Sequence, residues 1–277
     1  MIRQAQAQDH PALKALWHTA FGDSYEVIDV FFTSPLFVSS ITPFVYELDN
    51  IVVSALYLLD AGKSRVADGK MLSTAYFYAL ATHPEYRGRG FAAHLTKEVL
   101  TWSYQAGFAL NVISPAEPSL FPYYQGLGFD HTLLIGQGGN APVTYPTQNI
   151  MSTDLVTYSQ LRPALLPPSA CLYSLDFLQA MAQSATGSGG GLYHLEWPGE
   201  TAIAIAEIRG GNLYLQEVLP TKLAPAAQAV LAEQFGLPLK EVRCPAGGEN
   251  DRPIALYALA PGVSLPNADI YFPFILD

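Results

Sequence analysis

The chain has 277 residues, half of them hydrophobic and only 14% charged, which excludes extended disorder and leaves room for one large domain or two ordinary ones. Its formal net charge of −10 argues against non-specific nucleic-acid binding, while an acidic surface suits either plain solubility or a cationic partner such as an amine. Two cysteines far apart, Cys171 and Cys244, make neither a disulfide framework nor a zinc pattern, so no metal is expected.

The N-terminal "MIRQA" reads as an edge strand. "DHPALKALWHTAF" follows as a helix, with Asp9 as its N-cap, Pro11 in its first turn and Leu13, Leu16 and Trp17 on one face. "SYEVIDVFF" is a second short helix ending before Pro35. "TPFVYELDNIVVSALYLLD" holds two apolar runs around Asp49-Asn50, the signal of a hairpin. After a turn at "DGK", "MLSTAYFYALAT" is a further strand. A glycine-rich loop then opens a helix with Phe91, Leu95, Val99 and Trp102 on one stripe, stopped near Gly107. "FALNVIS" is a strand, "SLFPYYQ" a short helix and "GFDHTLLI" another strand. The order βααβββαβαβ describes a mixed α/β domain, an α+β arrangement on a mixed sheet, over residues 1–135.

Residues 136–150 are rich in glycine and proline and read as a linker. Residues 151–277 form a second, smaller α/β region: a helix at "SLDFLQAMAQS", a mobile loop at "SATGSGGG", and a three-stranded meander from "LYHLEWP", "TAIAIAEIR" and "NLYLQEVL". A helix at "APAAQAVLAEQFG" and strands at "LKEVRCP", "PIALYALA" and "DIYFPFIL" complete it. A degenerate copy of the first domain is one reading of this region. The start of the chain is polar, and the longest apolar stretch carries two prolines, so a cytoplasmic protein without a membrane span is expected.

The informative stretch is "HPEYRGRGFAAHLTKEVL", His83 to Leu100, where a glycine loop passes from strand to helix. Such a loop holds phosphates, because free N–H groups and the helix dipole converge there. A P-loop reading fails for want of the Gly-Lys-Ser/Thr ending. Gly88, Gly90 and Ala93 fit the dinucleotide pattern G-x-G-x-x-G/A, but no βαβ unit leads into it and the next strand ends in Asn111-Val112-Ile113 without the acidic residue.

Arg87-Gly88-Arg89-Gly90-Phe91-Ala92 matches R/Q-x-x-G-x-G/A, and "YYQGLGF" places Tyr124, Gly128 and Phe129 in a Y-x-x-x-G-F pattern. These two motifs, in this order, resemble the GNAT superfamily of N-acetyltransferases, over roughly residues 1–135. The resemblance implies acetyl-CoA as co-substrate, with its pyrophosphate on the backbone of Arg87, Gly88, Arg89, Gly90, Phe91, Ala92 and Ala93. It implies that Leu80, Ala81 and Thr82 offer backbone groups to the pantetheine arm, with Ser119 a further contact. Tyr124 is the implied general acid toward the leaving thiolate, and its neighbour Tyr123 is read as a packing aromatic. Glu117 and Leu120 stand where many members have Asn and Ala, which puts local CoA contacts in doubt.

No acid lies between Met71 and Thr82, where many relatives carry a glutamate base. A GNAT domain followed by a second α/β domain and an aromatic-rich C-terminus is similar to the enhanced-intracellular-survival (Eis) type. That likeness implies that "YFPFILD" packs into the first domain and brings Asp277 to the thioester. The expected function is acetyl transfer to a small-molecule or peptide amine by direct attack, with oligomerisation left open. The alternative from another class is a non-catalytic acyl-CoA-binding regulatory protein.

Overall fold

The computed structural model describes residues 1–138, 149–248, 250–265 and 270–274. The expected linker falls largely on residues 139–148, outside the described residues. The chain divides into two compact units that interleave in sequence. One comprises Met1–Lys63, Leu72–Thr132 and Ala255–Leu265; the other comprises Ser64–Met71, Leu133–Ile254 and Pro266–Asp277.

The first unit is built from β1 (Ile2–Gln4), α1 (His10–Phe21), α2 (Tyr25–Thr33), α3 (Pro35–Ser40), β2 (Ile41–Leu48), β3 (Ile51–Arg65) and β4 (Met71–Thr82). It continues with α4 (Phe91–Gln105), β5 (Leu110–Ile113) and α5 (Phe121–Gln125); β6 (His131–Ile135) begins in this unit and belongs to the second from Leu133 on. Asp9 precedes α1 but does not cap it through its side chain. Its carboxylate accepts from the Gln6 N–H at 2.7 Å and pairs with Arg3 at 2.6 Å, closing a 3-10 turn. Ser34 ends α2 and starts α3, accepting from the Phe37 N–H at 3.1 Å, a third helix that the sequence pattern did not reveal. Asp49 and Asn50 both take positive φ, 49° and 63°, which matches the right-handed twist of the β2–β3 hairpin.

The sheet runs β1-β2-β3-β4-β5, and the late strand Arg252–Leu259 follows β5, with Leu256 opposite Ile113 and Leu259 opposite Leu110. On one face, Leu95, Val99 and Leu100 of α4 pack with Phe44, Leu56, Ala75, Phe77, Tyr124 and Phe129. The other face carries an aromatic cluster in which Trp17, Phe31, Phe32 and Phe37 surround Tyr57 of β3.

The second unit contains β7 (Asn149–Ser152), α6 (Leu155–Leu165), β8 (Ala170–Leu172), α7 (Leu175–Gly187), β9 (Gly191–Trp197), β10 (Glu200–Arg209) and β11 (Asn212–Leu219). After α8 (Ala224–Phe235) and β12 (Leu239–Val242), the chain enters β13, the strand Arg252–Leu259. The expected meander β9-β10-β11 is extended by β7 and β12 into the order β12-β11-β10-β9-β7. Small residues let α8 lie close to the sheet: Ala224, Ala226 and Ala227 meet Ala202, Ala204 and Ala206. Gly236 ends α8 in the left-handed region, as its position after the last apolar turn predicts.

Two expectations change here. "SATGSGGG" is not a free loop: α7 runs through Gly187, and a Cβ on Gly190 would stand 1.9 Å from the Ala206 carbonyl oxygen. The glycines permit close packing on β10 instead of mobility. "DIYFPFIL" is not a strand over its described part, since Ile270–Phe274 makes only one bridge, Ala170 to Tyr271, before Pro273 removes a donor. That segment is buried within the second unit: the Tyr173 hydroxyl accepts from the Phe274 N–H, and Arg243 donates to the Pro273 carbonyl.

Candidate functional site

The site is set by how β4 leaves its neighbour. Parallel pairing with β5 begins at Thr74–Leu110 and ends at Phe77–Ile113, where β5 itself stops. β4 runs on through Tyr78–Thr82 beyond that ladder. Within this extension Ala79 has φ 49°, a left-handed conformation rare for a non-glycine residue in a strand. The bulge changes the side-chain alternation. Ala75 and Phe77 face α4, and strict alternation would put Ala79 and Ala81 there, yet Leu80 packs on that cluster.

The end of β4 is held firmly. Ser54, fully buried on β3, donates to the Ala81 carbonyl at 2.7 Å. A hydroxyl has one proton, so in the 2.9 Å pair with Thr82 the Thr82 hydroxyl donates to Ser54 Oγ. Arg87 Nε then donates to the Thr82 carbonyl at 3.1 Å, tying the loop back to the strand. Arg89 donates to the Glu85 carbonyl at 3.1 Å and lies over the Tyr86 ring at 5.3 Å. Both arginines thus help to shape the loop as well as adding positive charge to it.

Gly88 and Gly90 have φ 75° and 80°, and a Cβ on either would meet no described protein atom within 4 Å. Gly90 is the N-cap of α4 and offers no side chain to its first turn. The first N–H groups of a helix lack intrahelical acceptors, so those of Phe91, Ala92 and Ala93 lie at an electropositive helix end. This donor set, beside a loop whose glycines leave the backbone approachable, fits a pyrophosphate.

Tyr124 belongs to α5 and is 9% exposed, in the same cluster as Phe77, Leu95 and Phe129; Leu80 and Ala93 pack against that cluster. The end of β4, the first turn of α4 and Tyr124 therefore converge on one face of the sheet. Burial, with Tyr123 beside it, pushes the Tyr124 hydroxyl up to about 12, so it holds its proton through the neutral range. Tyr123 is 38% exposed, and burial of the rest of it also raises its hydroxyl. Ser119 is exposed and donates to Glu117 at 3.3 Å. Asp277 lies outside the described residues, and the described tail before it is grouped with the second unit, not the first as expected.

Sequence reasoning missed Ser54 and Ala79. A lone serine inside "IVVSALYLLD" was a usable signal, because a hydroxyl in an apolar strand needs a partner; Ala79 in "YFYALAT" gave none. Among the described residues, no group of three His, Cys, Asp or Glu side chains is placed to hold a metal ion, and no helix is long and apolar enough to cross a membrane.

Residues 1–132 match the family model described as acetyltransferase (GNAT) domain. Curated proteins gave no match. Among solved structures, a conserved protein of unknown function from Enterococcus faecalis V583 is 14% identical with a TM-score of 0.70, covering 94% of this chain and 72% of that one. A GCN5-related N-acetyltransferase from Kribbella flavida is 14% identical with a TM-score of 0.62, covering 94% and 71%. Eis1 from Mycobacterium abscessus is 10% identical with a TM-score of 0.62, covering 94% and 74%. At these identities the likeness is one of fold, and it extends over both units.

Proposed function

We propose that this chain, whose residues 1–132 match the model of the GNAT acetyltransferase domain, transfers an acetyl group from acetyl-CoA to a primary amine. The observation that carries the reading is the departure of β4 from β5 after Phe77–Ile113, beside a glycine-capped helix start and a buried, protonated tyrosine.

The residues fit the co-substrate. Backbone N–H groups from Gly88 to Ala93 hold the pyrophosphate, with Arg87 and Arg89 adding charge. The strand extension at Leu80, Ala81 and Thr82 offers the backbone edge along which the pantetheine amides would lie; Ser119 is kept as a further contact. Acetyl-CoA supplies the thioester: the neutral amine attacks its carbonyl carbon, a C–N bond forms, and the C–S bond breaks to release CoA thiolate. Tyr124 gives that thiolate its hydroxyl proton and regains one from solvent or from the acylated ammonium. Attack is direct, because Cys171 and Cys244 are both buried in the second unit. In this reading Asp277 is retained as a candidate acceptor of the amine proton, and the protein acts in the cytoplasm on a small-molecule or peptide amine.

The test is thiol release from acetyl-CoA by the full chain, with and without a panel of primary amines. Amine-dependent release with a matching acetylated product supports transfer. Saturable acetyl-CoA binding without release in any amine would instead make the protein a non-catalytic acyl-CoA binder.

A further inference from the structure

The register change at Ala79 decides which side chain β4 presents on the α4 face once β5 has ended. Without it, alternation from Ala75 and Phe77 would put Ala79 and Ala81 there, and two alanines would leave room above the core. With Ala79 at φ 49°, Leu80 takes that face instead, half-buried, and packs on the cluster that holds Tyr124. The bulge thus puts a large side chain in place of a small one where β4 has lost β5 as its neighbour.

The core on which Leu80 rests is closed. Phe77, Leu95 and Phe129 are fully buried, and Phe77 meets Phe129 edge to face at 5.2 Å between centroids. Phe129 also lies 6.5 Å from the Tyr124 ring, so one set of packed rings supports both Tyr124 and Leu80. A close-packed floor of this kind yields little to an added methylene, because its rings have no empty volume to move into.

We infer that Leu80, resting on Phe77 and Phe129, sets the length of the acyl group and restricts the donor to acetyl-CoA against longer acyl-CoA thioesters. This rests on the acetyl-transfer reading above and names its donor class. In that reading Tyr124 serves the thioester sulfur. The acyl carbon is bonded to that sulfur, so the acyl chain begins on the face that Tyr124 and Leu80 share. An acetyl group brings one methyl against Leu80. A butyryl group carries two methylenes more, and it has to displace Leu80 or press on the rings beneath it. Leu80 acts by volume alone and takes no part in the bond changes.

Calorimetric titration of the full chain compares CoA, acetyl-CoA and butyryl-CoA. Acetyl-CoA is expected to bind about tenfold or more tightly than butyryl-CoA, the scale on which a fixed pocket rejects added methylenes. Leu80→Ala should remove most of that preference, and Leu80→Phe should weaken acetyl-CoA relative to CoA, because it adds bulk at the same place. Tyr78→Ala truncates a half-buried ring on the opposite face, where Tyr78 meets Trp17 and Phe31, and should keep the acetyl-to-butyryl ratio of the parent. Each ratio is taken within one variant, so a general change in affinity cancels. Equal affinity of the parent for the two thioesters, a ratio unaltered in Leu80→Ala, or a ratio that Tyr78→Ala shifts as much, overturns the inference. The CoA titration separates the two layers: binding of CoA without an acyl preference sinks only the donor restriction, and absent binding of CoA and both thioesters sinks the reading beneath it.

Discussion

Ser54 Oγ donates to the carbonyl of Ala81 at 2.7 Å, across from β3 to the part of β4 that has left β5. That bond and the Thr82 hydroxyl pair it sustains fix the strand end from which the glycine loop departs. Ser54→Ala would remove both while leaving buried polar groups behind. Stability should fall by about 1 kcal/mol, and KM for acetyl-CoA should rise about fivefold with kcat nearly unchanged. Chemical denaturation and initial rates check the two effects, and an unchanged KM would show that the strand end does not need this clamp.

Gly90 and Gly107 stand at opposite ends of α4 with φ 80° and 93°, and neither has a described atom within 4 Å of a Cβ position. Valine at either site meets the same backbone strain, of order 1–2 kcal/mol. Gly90→Val should lose acetyl-CoA binding, because the branched side chain stands between the loop backbone and the phosphates. Gly107→Val should lose stability alone. Calorimetry with CoA on both variants decides whether the loop binds through its exposed backbone.

Tyr124→Phe takes away one hydroxyl from a buried ring. CoA affinity should hold while kcat falls by about 10-fold or more, and Tyr123→Phe should do little. The pH dependence has a defined sign. The acid acts in its protonated form, and burial raises that group to about 12, so its contribution persists above pH 10 and is lost only as pH approaches about 12. A Tyr124-dependent fall in kcat centred near neutral pH would contradict the assignment.

Within the second unit, Arg162 is 2% exposed and holds Glu217 through two bonds, Nε to Oε2 at 2.9 Å and Nη2 to Oε1 at 3.0 Å. The Tyr158 hydroxyl donates to the same carboxylate, and Arg162 also donates to the Cys171 carbonyl. Arg162→Met would strand a buried carboxylate and should cost about 3–5 kcal/mol in urea unfolding. Adding Glu217→Leu should recover much of the loss, since an apolar pair needs no counter-charge.

What the sequence made legible was local. The loop Arg87–Ala93 could be read because glycines before an apolar helical stripe declare both the turn and the helix start, and Tyr124 because its spacing to Gly128-Phe129 is short. The Asp49-Asn50 hairpin was legible for the same reason. The bulge was not, because Ala79 is no marker of positive φ, and the β5 end that it follows, at Ile113, lies thirty-odd residues on in the chain. β13 could be recognised as a strand, but its place beside β5 depends on Leu256 meeting Ile113, a pairing with no local trace. Pro163 inside α6 hid that helix, and the clustering of Tyr57 with Trp17 and Tyr78 joins three separate elements.

The central claim is that the glycine-capped start of α4 and the free end of β4 hold an acyl-CoA. Its most direct test is calorimetric titration of the full chain with acetyl-CoA, and in parallel with NAD, whose glycine fingerprint this loop also fits. The expected result is saturable binding of one acetyl-CoA per chain, with no heat from NAD. Binding of NAD with none of acetyl-CoA would contradict it.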